Sequence, residues 1–529
     1  MKKFNHQLRA QNIIEIEQET FDVLIVGGGI NGAGIARDAA MRGMKVALIE
    51  QNDFASGTSS RSSKLIHGGI RYLENLEFKL VFEALSERSL LFEIAPHLVH
   101  PLKFMIPLFK SSRVGMFKMG LGMWLYDLLA LFQAPEIHDR LSRKQTILSQ
   151  PEVRNVDLVG SFTYFDAYMD DDRLVHETLR SASESGAKIV NYIKAIEYSF
   201  NGQIHSIRAQ DFFSGSIVNI KAKQVVSCVG PWTDLFAPLI DKEWKKVLRP
   251  TKGIHLIVDR KKFNLHQAVV MGAETGNRII FGIPRGDFVI IGTTDTDYQE
   301  DPFLVRTDKE DVQYLLKIVN SYFPQVNLTQ ADLISSYSGV RPLVKDEASS
   351  TGKTSREHVI IKGKNDVFFV VGGKYTTYRK IAEEVVDKLI KELSIEEKVL
   401  FGKTKSKTPI NPLVTAESYY YYLNIQETRE DYWLAQQFGP EVENIKNSYP
   451  NYSVIQKIAA FHIDYSMCIS IFDFYLRRSF LMLTLKDHGL SQFQQISKVF
   501  KDKLNYSDSE IDKDLEQIKN HIQREMHWM

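Results

Sequence analysis

The sequence Phe-Asp-Val-Leu-Ile-Val-Gly-Gly-Gly-Ile-Asn-Gly at residues 21–32 joins a short apolar segment to a glycine-rich turn. Gly27 allows the tight turn, Gly29 lets the backbone approach a pyrophosphate, and Gly32 lets the following helix pack closely on the strand. A second apolar segment then ends at Glu50, where an acid accepts hydrogen bonds from an adenosine ribose. These features predict a βαβ unit whose helix start binds a dinucleotide through free N–H groups.

Composition limits the classes of protein to which this chain can belong. It has 529 residues, a hydrophobic fraction of 44% and a formal net charge of +1. These values predict two or three subdomains with a substantial core, and they argue against a nucleic-acid-binding protein. Two distant cysteines, Cys228 and Cys468, fit a reduced cytoplasmic protein better than a disulfide framework. Residues 1–20 lack the apolar region of a signal peptide.

The chain divides into three predicted regions. Residues 20–401 contain the glycine motifs and alternate strands with helices, residues 402–412 form a linker, and residues 413–529 are mostly helical in pattern. Within the first region, residues 172–186 place apolar side chains on one face and predict a helix. We therefore expect a mixed α/β fold with a Rossmann-type domain, followed by a C-terminal helical domain.

Three further motifs contain small and hydroxyl residues suited to contact a cofactor. Residues 58–69 offer hydroxyls and glycines, residues 228–232 end a predicted strand, and residues 371–377 open a helix whose N-terminus attracts an anion or a carbonyl. A flexible serine-rich loop, an ordinary strand-to-loop turn and a plain helix cap are the alternative interpretations. The predicted cofactor-binding residues are Gly27, Gly29, Gly32, Glu50, Thr58, Ser59, Ser63, Lys64, Gly230, Gly373, Thr376 and Thr377.

Four segments of this sequence together resemble one enzyme family. They are residues 27–38, 64–73, 337–343 and 372–379, and their order and separation are similar to those of the aerobic, FAD-dependent glycerol-3-phosphate dehydrogenases. The resemblance covers residues 20–390 well and continues more weakly into the C-terminal region. It implies bound FAD, an FAD-binding domain of the glutathione-reductase type, a substrate domain built on an antiparallel sheet, and a C-terminal helical cap domain.

The implied reaction oxidises the C2 hydroxyl of glycerol 3-phosphate to dihydroxyacetone phosphate, with a hydride passing to FAD and a proton to a base. Arginine suits the phosphate dianion because its planar guanidinium forms paired hydrogen bonds. By the resemblance, the substrate-binding residues are Arg71, Arg341, Arg356 and Lys374, and the catalytic residues are His67, His255, Arg341 and Lys374. His67 and His255 compete for the role of base, and a solvated surface side chain is the alternative for Arg356.

Three consecutive acids, Asp170 to Asp172, raise the question of a metal site. Consecutive side chains cannot all face one ion, whereas acids in the first turn of a helix are favoured by the helix dipole. We therefore predict a helix N-terminus at these residues and no metal site.

Residues 110–132 predict contact with a membrane surface. Basic residues precede Trp124 and a wide apolar face, which is typical of an interfacial amphipathic helix, and a core helix with a basic flank is the alternative. In the family this region lies against the bilayer. The resemblance therefore implies a cytoplasmic protein attached peripherally to the inner face of the membrane, with a quinone as electron acceptor. The assembly state stays open, with a homodimer among the options.

Two other classes of function remain as alternatives. The first is an oxidase of similar fold that uses oxygen or acts on amino acids. The glycerol-3-phosphate oxidases share these motifs but carry an insertion that this sequence lacks, and several cations favour phosphate over an amino acid. The second is a non-catalytic flavoprotein scaffold, which is disfavoured because every motif of the family occurs in the family's order.

Overall fold

The structure, a computed structural model, describes residues 2–272, 278–345, 358–402 and 404–529. In chain order the helices of this part are α1 His6–Gln18, α2 Ile30–Met41, α3 Phe78–Ile94, α4 Met116–Leu129, α5 Arg143–Ser149, α6 Asp171–Glu184, α7 Thr233–Phe236, α8 Lys309–Tyr322, α9 Tyr378–Glu392, α10 Ile395–Phe401, α11 Ala416–Asn424, α12 Arg429–Phe438, α13 Glu441–Ser448, α14 Val454–Tyr465, α15 Ile471–Arg477, α16 Leu481–Thr484, α17 Phe493–Leu504 and α18 Asp508–Glu525.

The strands of the same part are β1 Thr20–Val26, β2 Val46–Ile49, β3 Leu65–Ile66, β4 Val99–Phe109, β5 Asp139–Ser142, β6 Leu158–Met169, β7 Lys188–Val190, β8 Ile193–Phe200, β9 His205–Asp211, β10 Ile217–Ser227, β11 Thr251–Asp259, β12 Ala268–Gly272, β13 Ile279–Arg285, β14 Phe288–Gly292, β15 Thr296–Asp297, β16 Leu333–Arg341, β17 His358–Lys362 and β18 Phe368–Gly372. They form two sheets.

The first sheet has the strand order β17-β18-β10-β1-β2-β7, with β9 and β8 continuing from β10. Strand β1 pairs in parallel with β2 and β10, and its apolar residues are buried against α2, α6 and α9 on one face. Parallel strands end at the same edge, so the turn at Gly27 lies beside the turn at Cys228, whose N–H donates to the Val26 carbonyl at 2.7 Å. The predicted βαβ unit is thus present.

The second sheet has the strand order β15-β11-β14-β13-β12-β4-β6-β3, with β16 on β11 and β5 on β6. Its described pairs are antiparallel except β4 with β12, which are parallel. Strand β11 lies between β14 and β16. Its His255 is opposite Gly292 and Tyr337, and its Thr251 is opposite Arg341. This register places two of the predicted catalytic residues on neighbouring strands.

The C-terminal helices α11 to α18 enclose an apolar core of their own. They also contact the segment that follows β2 through buried ion pairs, because the Asp53 carboxylate accepts from Arg477 at 2.7 Å and from Arg478 at 2.5 Å. Helix α10 ends at Phe401 and α11 begins at Ala416. The domain boundaries at residues 401 and 413 stay a prediction.

Candidate active site and cofactor cavity

The glycine turn after β1 is built for close approach of the backbone. Gly27 has a φ of +114°, and a Cβ there would lie 2.5 Å from the Cys228 carbonyl oxygen. A Cβ on Gly32 would lie 1.9 Å from the Gly27 carbonyl oxygen. Gly29 is the N-cap of α2, and the Ile30 N–H donates to Ser59 Oγ at 3.0 Å. A pyrophosphate at this helix start would meet the positive end of the helix dipole.

Glu50 lies at the same end of the cavity as the glycine turn. Its carboxylate accepts the Gly28 N–H at 2.7 Å and the Asn52 N–H at 2.9 Å. Burial nevertheless raises the pKa of Glu50 to about 7, because the charged form loses its hydration. A ribose diol placed here would donate hydrogen bonds to the carboxylate and so favour its charged form.

A cavity of about 800 Å³ runs from this turn to the predicted substrate residues. Its size is within the range of cofactor and ligand sites in proteins. The predicted cofactor residues that line it are Gly27, Gly29, Glu50, Thr58, Ser59, Ser63, Gly230, Gly373 and Thr376. The other three lie behind the lining. Gly32 packs on Gly27, Thr377 donates to the Lys374 carbonyl at 3.3 Å, and the Lys64 ammonium forms a buried ion pair with Asp171.

Arg341 lies at the end of β16 and crosses the neighbouring strand. Its guanidinium donates to Thr293 Oγ1 at 2.8 Å and to the Thr294 carbonyl at 3.1 Å, and it is 3.3 Å from the Asp295 carboxylate. A Cβ on Gly253 would lie 2.3 Å from Arg341 Nη2, so a side chain at that position of β11 would displace the guanidinium. The strand ladder and these contacts fix the guanidinium at the wall of the cavity.

Lys374 approaches the same wall from the segment between β18 and α9. Gly372 and Gly373, with φ values of +74° and +91°, turn the chain so that Lys374 faces the cavity. Its ammonium lies 3.8 Å from the centre of the Tyr72 ring, which is a cation–π contact. Tyr72 itself lines the cavity, and sequence reasoning did not single it out.

His255 lies on β11 with its ring stacked on Tyr337 at 4.6 Å. Its Nε2 is 2.8 Å from Ser63 Oγ. Burial, together with the nearby charges of Arg341 and Lys64, holds the pKa of His255 well below its usual range. Burial therefore favours the neutral imidazole of His255 over its charged form.

His67 and Arg71 also line the cavity, on the segment that follows β3. The His67 ring meets Phe281 edge-on at 6.2 Å, and its backbone N–H donates to Thr376 Oγ1 at 3.2 Å. The structure thus brings together both candidate bases. The choice between them stays a prediction.

Two further arginines concern the substrate end of the site, one predicted from the sequence and one not. Arg356 lies outside the described residues, so its predicted role is neither supported nor weakened. Arg278, which sequence reasoning missed, lines the cavity just before β13. Arginines often precede strands, so no sequence signal singles out Arg278. Only its position beside the cavity in the folded chain identifies it as a candidate site residue.

The three consecutive aspartates lie at the start of α6, as predicted. Asp171 pairs with Lys64 and Asp170 with Arg285, while Asp172 accepts the Arg173 N–H at 2.7 Å. Among the residues that the structure describes, clusters of three or more metal-binding side chains are absent.

Comparisons with known proteins identify the family of this chain. Residues 22–379 match the family model for the FAD dependent oxidoreductases, DAO, so the class defined by the fold and the cavity is a flavin-dependent oxidoreductase. Over 399 residues the chain is 41% identical to the aerobic glycerol-3-phosphate dehydrogenase of Staphylococcus haemolyticus, covering 75% of this chain and 72% of that protein. The corresponding protein of Staphylococcus saprophyticus is 40% identical over 395 residues, which are 74% of this chain and 71% of that protein.

The solved structure of the glycerol-3-phosphate dehydrogenase from Bacillus halodurans, complexed with FAD, superposes with a TM-score of 0.82 at 27% identity and covers 99% of both chains. The chain belongs to the DAO family of FAD-dependent oxidoreductases, in the branch of the aerobic glycerol-3-phosphate dehydrogenases. The predicted fold class, the resemblance and the FAD cofactor are thereby confirmed.

Proposed function

We propose that this protein oxidises glycerol 3-phosphate to dihydroxyacetone phosphate with FAD and delivers the electrons to a quinone at the inner face of the cytoplasmic membrane. One observation carries the proposal. A single cavity joins the dinucleotide turn at Gly27 to the cations Arg71, Arg341 and Lys374. The names of the two staphylococcal relatives support the same substrate.

The chain's own residues supply binding and proton transfer. Arg341, Lys374 and Arg71 present positive charge on the cavity wall, which suits a phosphate dianion and an oxygen that gains negative charge as it loses its proton. The imidazole of His255 or of His67 accepts the proton of the C2 hydroxyl. Bound FAD supplies the two-electron acceptor.

Helix α4 supports the membrane part of the proposal. Phe117 and Trp124 are 81% and 56% exposed, and Leu121 and Leu128 on the same helix are also exposed. The opposite face, with Met123 and Tyr126, is buried. Exposed apolar patches of this kind mark interaction surfaces. Among the described helices, none has the length and apolar character needed to cross a bilayer.

The buried face of α4 packs in a core that also reaches the cavity. Ile70 and Phe281 line the cavity, and both pack in the cluster that contains Met123 and Tyr126 of α4. An apolar electron acceptor dissolved in the bilayer could therefore approach the reacting end of the cavity beside this helix. The positive charge of the basic residues that precede α4 is partly compensated, because the Arg113 guanidinium lies 2.6 Å from the Glu74 carboxylate.

Trp124→Glu is expected to weaken membrane binding. A charge in the acyl boundary opposes insertion, while anionic headgroups still attract the basic flank. The variant should co-sediment with anionic vesicles more weakly than wild type, most clearly at high salt, and should reduce membrane quinone more slowly. Reduction of its FAD by glycerol 3-phosphate should stay normal. Vesicle co-sedimentation and anaerobic spectroscopy measure the two effects.

Trp433→Glu is the matched control, because Trp433 is 44% exposed on the distant helix α12. It should bind vesicles as wild type does. If wild-type protein stays in the supernatant with anionic vesicles at low salt, α4 is a partner-binding helix and the acceptor reaches the flavin from solution.

A further inference from the structure

A buried carboxylate at the end of α18 contacts two elements of the cofactor cavity. Glu525 Oε1 accepts from the Arg61 guanidinium at 3.0 Å, and its Oε2 accepts from Ser338 Oγ at 3.0 Å. The Glu525 carbonyl accepts from Ser336 Oγ at 2.5 Å, and Trp528 Nε1 donates to the same hydroxyl at 2.9 Å. Ser336 and Ser338 belong to β16, so these hydrogen bonds connect α18 to the strand that ends at Arg341.

Arg61 belongs to the segment of residues 58–63, which touches several parts of the site. Thr58 Oγ1 donates to the Val340 carbonyl at 2.6 Å, immediately before Arg341. Ser63 Oγ lies 2.8 Å from His255 Nε2. This one segment therefore contacts Val340, the neighbour of the predicted catalytic residue Arg341, and also contacts the candidate base His255.

Arg61 lines the cavity and bridges the segment to α18. Its stem packs over β16, since a Cβ on Gly339 would lie 2.5 Å from Arg61 Cβ, and its head reaches Glu525. The preceding residue of α18, Arg524, donates to the Phe303 carbonyl at 3.2 Å, and Phe303 also lines the cavity. The end of α18 thus contacts three separate stretches of the cavity's surroundings: residues 58–63, β16 and the loop at Phe303.

We propose that Glu525 is a positioning residue for the reaction: by holding Arg61 and Ser338 together, it keeps residues 58–63 in register with β16, and so keeps His255 and Arg341 correctly placed towards FAD. Glu525 does not line the cavity and acts only through these partners. The Arg61–Glu525 bond joins residues separated by 464 positions in the sequence, so the C-terminal helical region contributes to the site although it holds none of the predicted cofactor-binding or catalytic residues. The inference rests on the proposed function for its kinetic test, but not for its test of FAD binding.

The test is Glu525→Gln in the FAD-loaded full-length protein. Glutamine keeps the size of the side chain but removes the charge that compensates Arg61, and residues in one buried network couple strongly. The rate of flavin reduction at saturating glycerol 3-phosphate should fall about tenfold. The visible spectrum of bound FAD should shift, and FAD should dissociate faster. A merely structural role would lower thermal stability but leave the spectrum and the saturated rate unchanged.

Two further variants sharpen the result. His527→Ala, at an exposed position two residues along, should behave as wild type. Arg61→Gln combined with Glu525→Gln should be no slower than the worse single variant, because each removes the same contact. If Glu525→Gln does not fold, Ser338→Ala replaces it and should slow the saturated rate by a smaller factor.

A normal saturated rate, spectrum and FAD dissociation in Glu525→Gln would overturn the inference, as would losses that simply multiply in the double variant. Wild-type protein that glycerol 3-phosphate fails to reduce would overturn the proposed function instead. In that case faster FAD dissociation in Glu525→Gln still supports the positioning of residues 58–63, and unchanged dissociation overturns it.

Discussion

Arg341→Ala is expected to lower kcat/KM for glycerol 3-phosphate about a hundredfold while FAD stays bound. The guanidinium is held at the cavity wall by Thr293 and Thr294, so it can meet the substrate without first being ordered. A charge-assisted contact in a site of this kind contributes about 3 kcal/mol, which corresponds to about a hundredfold in rate. Steady-state kinetics and the flavin absorbance of the purified variant measure the two parts of this prediction.

Arg249→Ala is the matched control. Arg249 also pairs with an aspartate, since its Nε lies 2.9 Å from Asp297, but it does not line the cavity. Its replacement should leave kcat/KM near the wild-type value. Near-normal kcat/KM in Arg341→Ala would remove Arg341 from the site and with it the assignment of the substrate end of the cavity.

Gly32→Ala is expected to abolish most FAD binding, with activity lost in proportion. The added Cβ would lie 1.9 Å from the Gly27 carbonyl oxygen, so the turn or the start of α2 must move. Forced overpacking costs about 1–3 kcal/mol, which corresponds to a loss of affinity of about fivefold to 150-fold. The ratio of flavin to protein absorbance after purification, and titration of apoprotein with FAD, measure the loss.

Gly122→Ala provides the comparison, because a Cβ at that position of α4 meets open space among the described residues. It should retain a full complement of FAD. Full FAD content in Gly32→Ala would mean that the close packing of α2 on β1 is not needed for the dinucleotide site.

The cofactor half of the site was predictable because its signals are local. Gly27, Gly29, Gly32 and Glu50 lie within 24 residues, and their spacing alone identifies a dinucleotide-binding turn. The helix at Asp171–Glu184 follows equally from its own apolar periodicity. Here local pattern and final structure agree.

The rest depended on contacts that sequence spacing does not encode. Lys64 belongs to a motif, yet its ammonium is neutralised by Asp171 in a buried pair rather than turned to the cavity. Tyr72 is recognisable as a residue of the site only in the folded chain, where the Lys374 ammonium lies over its ring. The ion pair between Glu525 and Arg61 depends on how the C-terminal helices pack against the rest of the chain. Long-range pairing of this kind follows from the tertiary fold alone.

Anaerobic mixing of the FAD-loaded protein with glycerol 3-phosphate tests the central claim most directly. The oxidised flavin band should bleach rapidly, with one dihydroxyacetone phosphate formed per FAD. Later addition of a quinone should restore the band much faster than addition of oxygen. A flavin band that stays unchanged with glycerol 3-phosphate, but is bleached by an amino acid, would contradict the account.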